Sequence, residues 1–148
     1  MTVSGREPLE LEPGEEAIAV ARASFRGAAA VTTRATFALG SGRMRTRAFH
    51  DWHAAAQSSG LPPVTPDMVL AATDRRVLFG RPTFWGRLPE RYTGAVEYRL
   101  ISQIVAVRHG LVTGVAFAFT DGAFVEIEAL RARRLRHLVQ VVNTHLPN

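Results

Sequence analysis

The sequence predicts a mainly β domain with α: a small curved antiparallel barrel of about six to seven strands, capped by a C-terminal amphipathic helix, with an extra helix inserted after the first strand. Three observations predict it. Short apolar runs in the second half are joined by tight turn signals, among them the hairpin dipeptide Asp121-Gly122. The final segment carries one apolar stripe at helical spacing. An open curved sheet exposes apolar positions at one end, and a helix with a single stripe can cover them.

The elements follow in order. Residues 1–14 are a polar lead-in punctuated by Pro8, Pro13 and Gly14. Residues 16–25 alternate, with Ile18, Val20 and Phe25 set against Glu16, Arg22 and Ser24, and predict a strand. Residues 27–40 fit two patterns. Val31, Ala35, Phe37 and Leu39 fit a strand, the alanines suit a helix, and the β-branched Val31-Thr32-Thr33 run tilts toward strand. A helix is predicted over 44–58, where Met44, Phe49, Trp52, His53 and Ala56 fall at helical spacings, with a linker at 61–66. Residues 68–72 and 77–80 predict two strands joined by Thr73-Asp74-Arg75-Arg76, followed by a long loop over 80–94. Strands are predicted at 96–99, 103–108, 112–119 and 124–128. In the last of these Val125 and Ile127 share one face, opposite Phe124, Glu126 and Glu128. The closing helix, 130–146, sets Leu135, Leu138, Val139, Val142 and Leu146 against Arg133, Arg136, His137, Gln140 and Thr144.

The 148 residues fit one domain, placed at 15–148, with an ordinary core. An apolar content of 47% with 21% charged residues argues against wholesale disorder. Cysteine is absent, which excludes disulfides, thiolate catalysis and Cys-based zinc sites. No apolar run approaches the ~20 residues that span a bilayer. The acidic N-terminus lacks the basic and apolar regions of a signal peptide. The expectation is therefore a cytoplasmic protein, with peripheral membrane attachment as the variant. All 18 basic residues are arginine, so little titrates above neutrality and the pI of 11.1 overstates a net charge of +5. That charge permits attraction to phosphates or anionic lipid without demanding it.

Four stretches, VLAATDRRVLFG, YRLISQIVAVRHG, VAFAFTDGAFVEIEAL and RRLRHLVQVVNTHL, stand in a distinctive order. Together they resemble the bacterial pleckstrin-homology-like domains, the small PH or GRAM-type modules. The resemblance covers residues 66–146, with 16–25 as the family's first strand. Residues 27–62 depart from it as a long insertion with its own helix. The resemblance implies a capped antiparallel barrel and a choice among lipid binding, peptide binding and architectural roles. A fold alone does not choose among them.

Catalytic signatures are sparse, and the expectation is a protein without enzymatic activity or cofactor. No GxSxG, SxxK or phosphate-cradling glycine loop occurs. His50 and His53 are i and i+3 on the predicted helix, but no third metal ligand is nominated by spacing, and His53 beside Trp52 reads as a packing residue. Asp74 and Asp121 occupy turns, where Asp bonds the local backbone.

Arginine carries the remaining signal. Arg26, Arg34, Arg43, Arg45 and Arg47 make the segment 26–47 basic and are the candidate anion-binding residues, since the guanidinium fork matches phosphate. The alternative is a set of solvated charges balancing the Glu-rich flanks. In PH domains the basic phosphate-binding loop follows the first strand, a similar place; its motif is absent here, so no residue is carried over. Phe84, Trp85 and Arg87 sit on a predicted loop as candidate membrane or partner contacts, or as aromatics folded back over the barrel wall. Arg131, Arg133, Arg134 and Arg136 oppose the dipole of the last helix, with Glu126 and Glu128 as candidate compensators, and hint at a binding face. The function expected is an interaction module for a protein partner or its own copy, through an exposed strand edge or the helical insertion. The alternative is peripheral binding to anionic lipid through residues 26–47 and the Phe84–Trp85 loop. There is no strong nucleic-acid signal and no transmembrane segment.

Overall fold

The computed structural model describes residues 9–28, 41–83, 89, 91–129 and 133–147, with backbone only at 41–44 and 109. Among the described residues there are seven strands: β1 (Ala17–Phe25), β2 (Asp67–Thr73), β3 (Arg76–Gly80), β4 (Gly94–Glu97), β5 (Ile101–His109), β6 (Val112–Phe119) and β7 (Phe124–Ala129). Helix α1 (Ser41–Ser58) follows β1, and α2 (Arg133–His145) closes the chain. The ambiguous stretch at 29–40 lies outside the described residues.

The strands form one antiparallel sheet in the order β4-β3-β2-β1-β7-β6-β5. Strand β1 pairs with β2 along most of its length but with β7 only through Ser24↔Glu128 and Phe25↔Ile127. That short corner joins the two halves. The expected barrel is thus an open one, with β4 and β5 as its edges among the described residues. No helix among the described residues is long and apolar enough to cross a membrane.

The core lies between the sheet and α2. Leu135, Leu138, Val139, Val141 and Val142 are buried: the stripe expected from spacing gains Val141, while Leu146 lies past the helix end and is only partly buried. They pack on Leu70, Phe79, Ile104, Phe117 and Ile127 within one cluster. Burying each such side chain contributes about 1.5–3 kcal/mol. The phase of β1 differs from expectation. Its inward face is Ala19, Ala21, Ala23 and Phe25, whereas Ile18 is 47% exposed and Val20 half-buried. The reason is steric. Strand β1 is the main sheet neighbour of α2, and methyl-sized side chains let the helix come down onto it. Apolar size thus misled the reading of phase; available space decided it.

Strands β2 and β3 are buried nearly throughout. One face meets the core. The other carries Ala71 and Leu78 against Tyr92, with Leu9, Ala17, Val20 and Ala95 packed around them. Leu9 bridges Tyr92 in antiparallel fashion, which lays the chain from Leu9 onward against the outer face. Double coverage explains why this hairpin reads as continuous apolar runs and not as alternation.

Helix α1 docks by aromatic residues. Phe49 meets Phe25 edge-on at 5.5 Å, and the Trp52 ring lies 6.0 Å from Phe25. The Trp52 indole N–H donates to the Glu126 carbonyl at 3.0 Å, so β7 fixes the helix as well.

Candidate functional site

The Asp-Arg-Arg hairpin is the most polar buried feature. The Glu15 side chain has no exposure to solvent. Its carboxylate accepts from the Arg76 Nε and Nη2 groups at 3.1 and 3.0 Å, from the Thr73 hydroxyl at 2.7 Å and from the Glu12 N–H at 2.9 Å. Burial pushes this carboxyl up. The hydrogen bonds from Arg76, the Glu12 N–H and Thr73, with the Arg76 charge, outweigh burial and hold the pKa at about 2. The Thr73 oxygen in turn accepts from the N–H groups of Arg75 and Arg76, each at 3.0 Å, and so shapes the turn. Arg75 pairs with Glu12 at 2.7 Å. The Tyr98 hydroxyl donates to the Thr73 carbonyl. These groups face one another, and what they build is a clasp that holds residues 10–16 to the sheet.

Two of the candidate anion-binding arginines are already ion-paired. Arg26 is ion-paired with Glu126. Arg45 pairs with Asp67 at 3.0 Å, and its guanidinium carbon lies 5.9 Å from the Phe25 ring centre. Arg47 is exposed on α1. Because α1 begins at Ser41, the every-second-residue spacing of Arg43, Arg45 and Arg47 is helical, which turns successive members ~200° apart. The Arg43 side chain, Arg34, Phe84, Trp85 and Arg87 lie outside the described residues.

The histidines of α1 have structural partners. His53 stacks on Phe49 at 5.0 Å, and its Nε2 accepts the Val64 N–H at 3.2 Å. Burial, then the neighbouring His50, lower its pKa. No group of three or more metal-ligating side chains occurs among the described residues.

A different surface assembles at the far edge of the sheet. Strand β5 pairs with β6 from Ile101↔Phe119 to His109↔Val112, and no strand among the described residues pairs with its other side. Asn143 of α2 donates to the Ile104 carbonyl at 3.2 Å across that side. Since this carbonyl turns away from β6, strand alternation turns the backbone groups of Ala106 and Arg108 outward too. Val105 and Val107 remain 38% exposed.

Beside this edge, α2 presents its polar face. Arg133, Arg136, His137 and Gln140 recur at i, i+3, i+4 and i+7 and line an open groove of about 630 Å³ with Arg108 and Thr113. The exposed Leu111 sits at the hairpin tip. Arg108 and Thr113 are cross-strand partners, so both side chains lie on one face of the hairpin. Glu126 and Glu128 do not neutralise the groove. Glu126 pairs with Arg26, and Glu128 accepts the Gly27 N–H. Among the described residues no carboxylate stands within ion-pair distance of Arg108, Arg133, Arg134 or Arg136, nor of Arg22, Arg47 or Arg81, whereas Arg26, Arg45, Arg75, Arg76, Arg91 and Arg99 all have one.

The helical half of this groove was legible as four arginines opening the last helix. Its other half was not. Arg108 lies 25 residues earlier than Arg133, and only the packing of α2 along β5 brings the two together. No protein-family model matches the chain, and no curated protein matches it.

Proposed function

We propose that this chain is a non-enzymatic PH-like interaction module that binds another polypeptide by accepting an extended segment on the free edge of β5. The observation that carries this reading is the edge itself. Among the described residues a strand of nine residues is paired on one side only, with outward backbone groups at Ala106 and Arg108. The opposite edge, β4, offers four residues. An unpaired edge is a template for another strand, and folds commonly blunt it. Here Asn143 covers the Ile104 carbonyl, and among the described residues no side chain bonds the outward backbone groups of Ala106 or Arg108. Main-chain hydrogen bonds would supply affinity, and side chains at alternate positions would supply selectivity.

The test is hydrogen exchange on the whole chain with and without a panel of extended peptides. Bound peptide should slow exchange at Ala106 and Arg108. Ala106→Pro removes an outward donor without touching the β6 ladder, so it should keep cooperative unfolding and lose binding. Protection elsewhere, or binding unchanged in Ala106→Pro, would overturn the reading. Binding to anionic lipid through residues 26–47 is the competing function. The ion pairs of Arg26 and Arg45 weigh against it. Salt-sensitive pelleting with anionic vesicles, lost on substituting Arg47, would support it instead.

A further inference from the structure

The partner's chemistry can be taken further, on the footing of the β5-edge reading. We infer that the segment accepted by β5 is acidic, and that Arg108, Arg133, Arg136 and His137 select it.

The inference rests on two features that meet at one place. The first is the unpaired strand edge. The second is the adjoining groove, where side chains from β5 and α2 bring three guanidinium groups and an imidazole together. A like-charged cluster is unfavourable in the free protein, because each cation repels the others. Elsewhere on this surface several arginines are matched with carboxylates contributed by distant segments, Arg45 with Asp67, Arg75 with Glu12 and Arg91 with Glu10, and those without one, Arg22, Arg47 and Arg81, line no such groove. In the groove, no described residue supplies the match.

The geometry suits a strand in particular. Asn143 contacts Ile104, while Arg133 and Arg136 lie by Arg108, so α2 runs antiparallel along the β5 edge. A segment added to β5 would point every second side chain toward that helical face. Carboxylates at those positions would meet the guanidinium forks in the bidentate geometry that arginine favours. The chain's own glutamate-rich run is engaged elsewhere: Glu10 faces Arg91, Glu12 faces Arg75, and Glu15 is buried against Arg76. With Glu10, Glu12 and Glu15 so engaged, the segment is assigned to another polypeptide.

The test uses the full chain and two extended peptides of about ten residues, one alternating Thr and Glu, the other Thr and Gln. The Thr–Glu peptide should bind at least about tenfold more tightly at low salt, and the advantage should fall as salt rises. The double charge reversal Arg133→Glu/Arg136→Glu replaces two exposed side chains in the first turn of α2, so it should unfold at an unchanged or higher midpoint. It should erase the preference while leaving the Thr–Gln peptide unaffected. Arg133→Lys/Arg136→Lys should retain most of the salt dependence with weaker binding. Equal binding of the two peptides, with exchange slowed at Ala106 and Arg108, would overturn the acidic inference and leave the edge reading standing. Exchange unslowed there by either peptide would overturn the edge reading itself. Phosphatidylserine vesicles that bind through Arg133 and Arg136, with no response to the Thr–Glu peptide, would replace the acidic segment with a lipid surface.

Discussion

Substituting Glu15 by Gln tests the clasp at the Asp-Arg-Arg hairpin. The carboxylate is fully buried and accepts four hydrogen bonds, two of them from Arg76, whose side chain is 15% exposed. Gln is isosteric, but it keeps one acceptor oxygen and turns an NH₂ group toward Arg76 or the Glu12 N–H. Hydrogen bonds to charged groups contribute about 1.5–3 kcal/mol, and breaking a buried pair costs about 3–5 kcal/mol. Solvent beside Arg76 lowers that figure, so a loss of roughly 2–4 kcal/mol at neutral pH follows. For a chain of this size that is a fall in Tm of roughly 4–16 °C. The pH dependence gives an independent reading of the same carboxyl. Its folded pKa of about 2 lies below the ordinary 4.5. Its contribution is therefore complete above about 4.5 and is lost as pH falls through about 2, with a limit on the order of 3 kcal/mol. Urea unfolding of both proteins from pH 7 to pH 2 should show a stability gap that closes across that window. A gap below about 0.5 kcal/mol at pH 7, or one constant with pH, would refute the argument.

Three further outcomes are expected. Tyr98→Phe should lose about 1–2 kcal/mol, because the Thr73 carbonyl loses its hydroxyl donor in a buried place. In the unsubstituted protein burial, then the Asp74 and Glu15 charges, push the Tyr98 pKa up to about 12. Its stabilisation should hold below pH 10 and fade as pH rises through 12, which ultraviolet titration of the phenols would follow. Gly94→Ala should destabilise by about 1–3 kcal/mol, since the added Cβ would meet the rigid Pro62 ring, with Cγ 2.8 Å away; thermal melts check it. His53 accepts the Val64 N–H and has a lowered pKa. Its neutral form is favoured on folding, so its contribution is present above pH 6.5 and lost as pH falls below. His53→Gln should remove the stability change in that interval and leave the more acidic one from Glu15.

Local pattern accounts for much of the architecture. Asp121-Gly122, the alternation of Val125 and Ile127, and the spacing of Leu135, Leu138 and Val142 are neighbour relations, so the elements they specify appear where spacing puts them. Helix α1 shows the boundary of such reasoning. Arginines at every second position suit one face of an extended chain, yet the segment is helical from Ser41 and they fan apart. Strand β1 shows it again. Ile18 and Val20 are its largest apolar residues after Phe25, but the inward positions belong to alanines, because α2 needs the space.

By itself, then, the sequence determined a mainly β domain closed by an amphipathic helix, along with the turn at Thr73-Asp74-Arg75-Arg76. Periodicity and turn chemistry act over a few residues and need no partner. What the tertiary structure decided were relations between distant segments. It buried Glu15 against Arg76, 61 positions away. It drew Arg26 and Arg45 into ion pairs, and it set Arg108 beside Arg133 and Arg136 along an unpaired edge. A charge's role depends on the distance to its counter-charge, and that distance exists only once the chain has folded.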